Sequence, residues 1–312
     1  MYPTIAQASP GKQNQSLAPS CTIPSVTGGS SCDTGSSVLS PQDQKHQKRL
    51  DEKNALAQDF SLVRLGKLDM QTFLTRWHTF IQQYARPTSV MANLARGQVS
   101  ATTSVNPYTC VDGTCPPVSA SLNTPQAAQQ TTYYCGPATA YEMLKGMGKT
   151  TGPHGEVLSQ SVLAGSSYLQ TNALGQTPWS GPYVMGPTLN AWAGQSFYAA
   201  QYAPSLTTYI ADVTVDIYLG WPVAANVVEE ANNTVHLVGH PTNQTIYHWV
   251  AIKGYNTNGN NTTYVDSVHG TTFWSWSPNV PAQSTIPSNN MYIMVNGKNA
   301  SGQSVDPRGI VE

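Results

Sequence analysis

Charged residues are scarce in this chain, and that scarcity excludes several functions. Lysine and arginine number 15 and aspartate and glutamate 16, so only 10% of the 312 residues are charged and the net charge is −1. A chain without an excess of positive charge lacks the electrostatic signature of binding to nucleic acid or to an anionic membrane surface. No stretch of 18 apolar residues is present either, and no transmembrane helix is predicted.

A signal peptide is also missing from the N-terminus, although the composition is typical of an exported protein. Serine, threonine, asparagine and glutamine stand where charged residues are more usual. We therefore expect a secreted, extracellular protein whose signal peptide is absent from this sequence. We expect it to be a monomer without a nucleic-acid or membrane partner.

The charge that exists is distributed unevenly, which indicates regions with different roles. Thirteen of the 31 charged residues lie between Asp43 and Arg86, and only eleven lie in 126–300. A Ser/Gly/Pro-rich beginning predicts a flexible arm. The predicted regions are the arm at 1–39, a helical hairpin at 40–86, a linker at 87–124, the main domain at 125–300 and a tail at 301–312.

The predicted hairpin consists of two amphipathic helices. Ser40 and Pro41 form a typical helix start, and the first helix is predicted to end near Arg64. The second is predicted from about Asp69 to Ala85, with its aromatic residues at helical spacing. Two interpretations remain open: a small accessory subdomain, or an intramolecular prosegment that covers a cleft and makes the protein a zymogen.

In the main domain, predicted helices come first and predicted strands later. This order favours an α+β fold with an antiparallel sheet. The predicted helices are 135–145, 158–169, 187–192 and 205–219, and the predicted strands are 222–228, 246–255, 262–266 and 291–295.

Five cysteines occur, and their spacing leaves one of them unpaired. Cys110 and Cys115 flank an Asp-Gly turn that can bring two sulfurs together, and Cys21 and Cys32 flank a Gly/Ser-rich loop. Free thiols or a metal site are the alternatives. Because these four cysteines lack a CxxC spacing, two local disulfides are favoured in an exported chain. Cys135 then has no partner.

Cys135 lies in the stretch QQTTYYCGPATAYEMLK, directly before a predicted helix. The N-terminus of a helix presents unpaired backbone N–H groups and a positive dipole, and both favour a thiolate at that position. Gly136 is expected to leave space for a substrate carbonyl. A buried, inert cysteine is the alternative. The pattern predicts that Cys135 is a nucleophile.

A nucleophilic cysteine needs a base, and His248 is the histidine that a predicted strand would hold rigidly. The next predicted strand ends in Asp266, after a short polar loop, so a hairpin would bring Asp266 beside His248. An aspartate that accepts the imidazole N–H fixes the tautomer of the ring and stabilises the imidazolium. His269, just beyond the strand, is an alternative base.

Gln129 is the candidate that stabilises the oxyanion. It precedes Cys135 by six residues, and its side-chain amide could donate to the developing negative charge together with the Cys135 N–H. Gln130 is its neighbour, and Gln126 is a more distant option.

His236 and His240 have the spacing of a zinc site on a helix. However, Gly239 and Pro241 make a helix improbable there, and no glutamate follows His236. We therefore predict loop histidines that line a cleft, without a metal ion.

These motifs together resemble the papain-like cysteine peptidases. Within them, the chain is most similar to the bacteriocin-processing family that cleaves after double-glycine leaders, in its stand-alone secreted bacterial form. The similar segments are Gln129–Ala138, His248–Tyr255 and Tyr264–Asp266, in the same order as in that family. The resemblance covers about 125–296. Its best-known members are fused to an export transporter that this chain lacks, so their leader substrates are not implied.

The resemblance implies a papain-like α+β fold, in which the nucleophile begins a helix packed on an antiparallel sheet. In this chain, that fold would follow the helical hairpin. It implies a Cys135–His248–Asp266 triad, Gln129 as the oxyanion donor, and no cofactor.

We therefore expect a secreted cysteine endopeptidase that acts on peptide or protein substrates. One alternative keeps the chemistry and changes the acceptor: a transpeptidase or amidase acting on cell-wall peptide or glutamine side chains. Another comes from a different class: a secreted binding module without catalysis.

Overall fold

The computed structural model describes residues 41–64, 67–84, 118–179 and 184–312. The predicted arm at 1–39, most of the linker and all four cysteines of the predicted disulfides lie outside these residues. Those cysteines are Cys21, Cys32, Cys110 and Cys115. The disulfides therefore remain predictions.

The described chain consists of an α-helical hairpin followed by a mixed helical and β-stranded unit. The helices are α1 (Pro41–Arg64), α2 (Met70–Tyr84), α3 (Cys135–Gly146), α4 (Gln160–Leu163), α5 (Thr171–Leu174), α6 (Met185–Ala193), α7 (Leu206–Leu219) and α8 (Ser288–Val295). The strands are β1 (Ala120–Ser121), β2 (Ala200–Tyr202), β3 (Val223–Glu229), β4 (Ile246–Asn256), β5 (Asn261–Val265), β6 (Gln283–Pro287) and β7 (Gly309–Val311).

All seven strands belong to one antiparallel sheet. The order is β2-β7-β3-β4-β5-β6, and β1 pairs with one end of β4. The predicted hairpin of β4 and β5 is present, with Ala251 opposite Val265. On the other side of β4, His248 lies opposite Val227 of β3.

Helices cover both faces of the sheet, which explains why β3 is buried at every position. Successive residues of a strand point to opposite faces. Trp249 accordingly belongs to a core that includes residues of α3 and α6, whereas Val250 belongs to a second core with residues of α7 and α8. An uninterrupted apolar strand is typical of a sheet covered on both faces.

The α1–α2 hairpin is part of the first of these cores. Asp69 caps α2 by accepting the backbone N–H of Thr72 at 2.8 Å. The hairpin residues that are buried in the core shared with α3 and α6 are Leu56, Phe73, Trp77 and Phe80. The hairpin is therefore packed on the main unit through a continuous apolar contact.

A buried group of charges, which we call the Lys53 cluster, also joins the hairpin to the main unit. Lys53 Nζ contacts the carboxylate of Glu312, lies 2.9 Å from Asp216 Oδ1, and lies 3.8 Å from Asp212 Oδ1. Arg49 donates to the backbone oxygen of Glu312 at 2.7 Å. Burial lowers the pKa of Lys53, although Asp216 and Asp212 oppose that shift.

The Lys53 cluster lies away from His248, the predicted base. Val311 of β7 pairs with Ala224 of β3, and His248 of β4 pairs with Val227 of β3. Glu312, the residue after Val311, is therefore displaced from His248 by four residues along the strand direction and by two strands across the sheet. With about 3.3 Å per residue and about 4.8 Å between strands, the two backbones are roughly 16 Å apart.

Replacing Lys53 with methionine is expected to lower the free energy of unfolding by about 3–5 kcal/mol, because several buried carboxylates lose their cation. Lys48 of the same helix offers a matched control, since its side chain is 65% exposed and pairs with Glu52 on the helix surface. We expect Lys48→Met to change stability by less than about 1 kcal/mol. Urea unfolding of both variants measures the difference, and equal losses would contradict the role given to the cluster.

Three predictions about secondary structure were wrong. The predicted strand at 291–295 is the end of α8, where Met291, Met294 and Val295 have helical spacing and face the second core. The predicted helix at 158–169 is only the short α4, since the chain turns at Ala164 and Gly165. The predicted tail at 301–312 contains β7, a buried strand between β2 and β3.

Among the described residues, no helix is both long enough and apolar enough to cross a membrane.

Candidate active site

Cys135 is the first residue of α3, as the sequence predicts. It is a free cysteine and is partly exposed. Tyr134 precedes it at the N-cap and is fixed by a hydrogen bond of 2.6 Å from its hydroxyl to Asn172 Oδ1. The thiol therefore lies where unpaired N–H groups and the helix dipole stabilise negative charge.

His248 and Asp266 meet as the sequence predicts. His248 lies in β4, Asp266 directly follows β5, and Nε2 of the imidazole lies 2.9 Å from Oδ1 of the carboxylate. The same Oδ1 accepts the backbone N–H of Val268 at 2.9 Å. Both side chains are almost fully buried, with exposed fractions of 4% and 1%.

The surroundings of His248 favour its protonated form. Burial alone would lower its pKa, but the charge of Asp266 and hydrogen bonds with Asp266 and Cys135 outweigh burial, and the pKa of His248 lies well above the usual range. Since Nε2 faces Asp266, Nδ1 is the nitrogen left for Cys135. The two imidazoles that contact Asp266 likewise outweigh burial and hold the pKa of its carboxyl well below the usual range.

Gln129 is buried beside these residues, but its amide has local partners. Nε2 donates to the backbone oxygen of Thr131 at 2.7 Å, and Oε1 accepts from the hydroxyl of Ser267 at 3.1 Å. Its backbone N–H also donates to the oxygen of Ser267 at 2.8 Å. A primary amide carries two N–H groups, and the bond to Thr131 uses one of them.

Gly136 contributes to the site through close packing. A Cβ atom added there would lie 2.0 Å from Thr177 Oγ1. The expected space at Gly136 is therefore occupied by Thr177, whose hydroxyl bonds to that of Thr171 at 2.7 Å. The glycine lets α3 pack closely against the segment that contains Thr177, and it does not leave space for a substrate carbonyl.

Comparison with known proteins identifies the family of this chain. The sequence matches the peptidase C39-like family over residues 121–282, just over half of the chain. The chain belongs to the peptidase C39-like family. Its α+β fold is papain-like, and family membership supports a cysteine peptidase. Gln129, Cys135, His248 and Asp266 all lie within the matched segment.

Solved structures also match this C39-like chain. One of them is xylellain, a cysteine protease from Xylella fastidiosa, with 11% identity and a TM-score of 0.30 over 57% of this chain and 82% of that one. No curated protein matches the sequence.

The site of this C39-like protein includes a carboxylate, Glu229, that the sequence did not indicate. His240 Nε2 lies 3.1 Å from Oδ2 of Asp266, and its Nδ1 lies 2.7 Å from Oε1 of Glu229. His236 also contacts Glu229, at 3.2 Å from Oε2. Both histidines were predicted to line a cleft, but they are buried against carboxylates. The signal that could have identified Glu229 is its position at the end of an apolar strand.

Gln126 and Glu142 hold the segment before Cys135 in place. The Gln126 amide donates to the backbone oxygens of Asp266 at 3.1 Å and His269 at 3.0 Å. Glu142, inside α3, accepts the N–H of Ala127 at 2.9 Å. Burial raises the pKa of Glu142 well above its usual range, with Asp266 adding to the effect.

Among the described residues, one group has the spacing needed to hold a metal ion. Its members are His240, His248 and Asp266, whose candidate ligand atoms lie within 4.8 Å of one another. Both imidazoles already contact the carboxylate of Asp266. A metal ion among them would replace the bond that orients His248, and so metal binding would compete with an acid–base role.

Proposed function

We propose that this C39-like protein is a secreted cysteine endopeptidase with a Cys135–His248–Asp266 triad. One observation carries the proposal. Cys135 begins a helix and interacts with His248 so as to raise the pKa of that imidazole, and Asp266 holds the opposite side of the ring at 2.9 Å. A nucleophile, a base and a group that orients the base are the components of covalent catalysis by a thiol.

In the starting state that we propose, His248 holds the proton of Cys135 on Nδ1, and acylation begins when the thiolate sulfur attacks the peptide carbonyl. The oxyanion forms near the N-terminus of α3, where the Cys135 N–H and the second N–H of the Gln129 amide are its donors. The C–N bond then breaks as His248 passes the proton to the leaving amine. A thioester between Cys135 and the acyl part of the substrate remains.

Deacylation repeats these steps with water. His248 takes a proton from water while the oxygen attacks the thioester carbonyl, and the C–S bond breaks. The sulfur leaves as a thiolate beside His248, which keeps the proton taken from water, and this restores the starting state. No proton or electron is lost in the cycle, and no redox partner is needed.

The other properties that we propose follow from the sequence. Low charge supports secretion, and the spacing of Cys21 with Cys32 and of Cys110 with Cys115 supports two disulfides. We also propose that the protein is a stand-alone monomer that acts on peptides, in agreement with the near-neutral charge of the chain. For the hairpin, the shared core and the Lys53 cluster favour a structural part of the enzyme over a removable prosegment.

The proposal is tested by digesting a proteome-derived peptide library with wild type and with Cys135→Ala, with and without an added primary amine. We expect mass spectrometry to find new pairs of peptide termini with wild type only. Ligated products that need the amine would indicate a transpeptidase, and conversion of glutamine to glutamate an amidase. Absence of products would contradict the proposal and favour a binding module.

A further inference from the structure

Asp266 contacts two imidazole rings through its two carboxylate oxygens. Oδ1 lies 2.9 Å from Nε2 of His248, and Oδ2 lies 3.1 Å from Nε2 of His240. All three side chains are buried, with at most 4% exposed. The proposed reaction uses the first contact and gives no role to the second.

The second nitrogen of His240 is held by another buried carboxylate. Nδ1 lies 2.7 Å from Oε1 of Glu229, the last residue of β3. The other oxygen of Glu229 accepts the backbone N–H of Leu237 at 2.9 Å, in the loop that carries His240. Glu229 is thus fixed to the sheet and to the loop, and the His240 ring lies between two immobile acceptors.

Two acceptors around one imidazole determine its protonation. An ionised carboxylate only accepts hydrogen bonds, and a neutral imidazole has only one N–H to donate. A neutral His240 would therefore direct a lone pair at Asp266 or Glu229, whereas the imidazolium satisfies both. Burial opposes the charge, but hydrogen bonds to Asp266 and Glu229 prevail and raise the pKa of His240 to about 8.

We propose that His240 is a positioning residue of the active site and that Glu229 anchors it. The Nε2–H of His240 holds Oδ2 of Asp266, which fixes the plane of the carboxylate so that Oδ1 faces His248. Its positive charge also offsets part of the charge of Asp266, so that His248 releases its proton to the leaving amine more readily. This inference rests on the proposed peptidase function, since it gives His240 a part in that reaction.

Two substitutions of His240 separate this role from a purely structural one. The amide nitrogen of glutamine is as many bonds from Cβ as Nε2 of histidine, so His240→Gln retains a donor to Asp266. The amide nitrogen of asparagine corresponds to Nδ1, so His240→Asn retains the donor to Glu229 and loses the contact with Asp266. Each variant therefore preserves one of the two hydrogen bonds at the same buried position.

We expect His240→Asn to lower kcat by about 10- to 100-fold, the effect of losing one hydrogen bond to a charged group in the transition state. His240→Gln should retain most of the wild-type kcat, and neither variant should change KM by more than about threefold. Thermal unfolding measured in parallel shows whether either variant is folded. If only anchoring to Glu229 mattered, His240→Asn would be the more active variant.

The dependence on pH gives a second readout. Several titratable and aromatic groups face His240 or its two carboxylate partners. They are Glu229 of β3, His248 of β4, Tyr264 of β5, Asp266 directly after β5, His236 of the loop that carries His240, and the ring of Trp276. Because His240 is protonated below its raised pKa of about 8 and neutral above it, wild-type kcat should fall as the pH passes about 8. In His240→Gln, that fall should be absent.

Alkylation of Cys135 by iodoacetamide extends the test to a readout that needs no peptide substrate. If the library digest yields no product, the proposed function fails, but the inference still predicts slower alkylation in His240→Asn than in His240→Gln at neutral pH. The inference is overturned if folded His240→Asn equals or exceeds His240→Gln in alkylation rate. For an active enzyme, the inference is also overturned if the kcat of folded His240→Asn equals or exceeds that of His240→Gln.

Discussion

Cys135→Ala should lower kcat/KM for peptide cleavage by about six orders of magnitude, or to the limit of detection. The sulfur is the atom that attacks the peptide carbonyl. Without it no oxyanion forms, and the helix N–H groups and Gln129 have nothing to stabilise. The side chain is partly exposed and is not a core residue, so the variant should fold normally. Substrate binding should be retained, which makes the loss one of kcat.

A matched variant distinguishes chemistry from shape. Cys135→Ser retains the size of the side chain and a proton donor to His248, but replaces a thiol by a much weaker acid. We expect it to be nearly as inactive as Cys135→Ala while having the same melting temperature as wild type. If either variant retained cleavage of the same peptide bonds at more than about one hundredth of the wild-type rate, another nucleophile would be responsible.

His248→Ala is expected to lower kcat by about 10²–10⁴-fold, the usual contribution of general acid–base catalysis. It removes the acceptor of the thiol proton and the donor to the leaving amine. It also leaves a cavity beside Asp266, whose carboxylate remains 3.1 Å from His240. Added imidazole should enter that cavity, contact Asp266 and restore part of the lost rate.

His269→Ala is the control for this experiment. The sequence offers His269 as an alternative base, but its Nδ1 lies 2.8 Å from the backbone oxygen of Val280 and is occupied there. We expect His269→Ala to retain kcat within about fivefold of wild type, as for a residue outside the reaction. A greater loss in His269→Ala than in His248→Ala would reverse the assignment of the base.

The residues of the site that the sequence could predict are those with strong local patterns. Cys135 is followed by a glycine, a proline and a helical run. His248 lies on β4 and Asp266 directly follows β5, and a short loop joins these two strands. A hairpin fixes which residues become neighbours, because register follows from the length of the turn. Their meeting could therefore be predicted without knowledge of the rest of the fold.

His240 and Glu229 could not be assigned in the same way. The chain between β3 and β4 is irregular, and no periodicity indicates that it turns back to place His240 against both Glu229 and Asp266. The spacing of His236 and His240 suggested only a metal site or a cleft. A buried imidazole between two carboxylates depends on tertiary contacts, which a single sequence does not specify.

The errors in secondary structure have a similar origin. In α8, the short apolar run from Met291 to Val295 fits a strand or a helix equally well, and packing over the second core selects the helix. β7 has only three residues, too few for a recognisable alternation, and is defined by its pairing with β2 and β3. Both elements depend on the neighbours that the fold provides.

Trapping of the acyl-enzyme tests whether Cys135 is the nucleophile. A peptide substrate from the library, or an ester of its acyl part, is mixed with the enzyme, quenched in acid within the first turnover, and analysed by intact-protein and peptide mass spectrometry. We expect one acyl group per chain, attached to Cys135 in wild type and absent from Cys135→Ser. Turnover without an adduct on Cys135, or with an adduct on another residue, would contradict it.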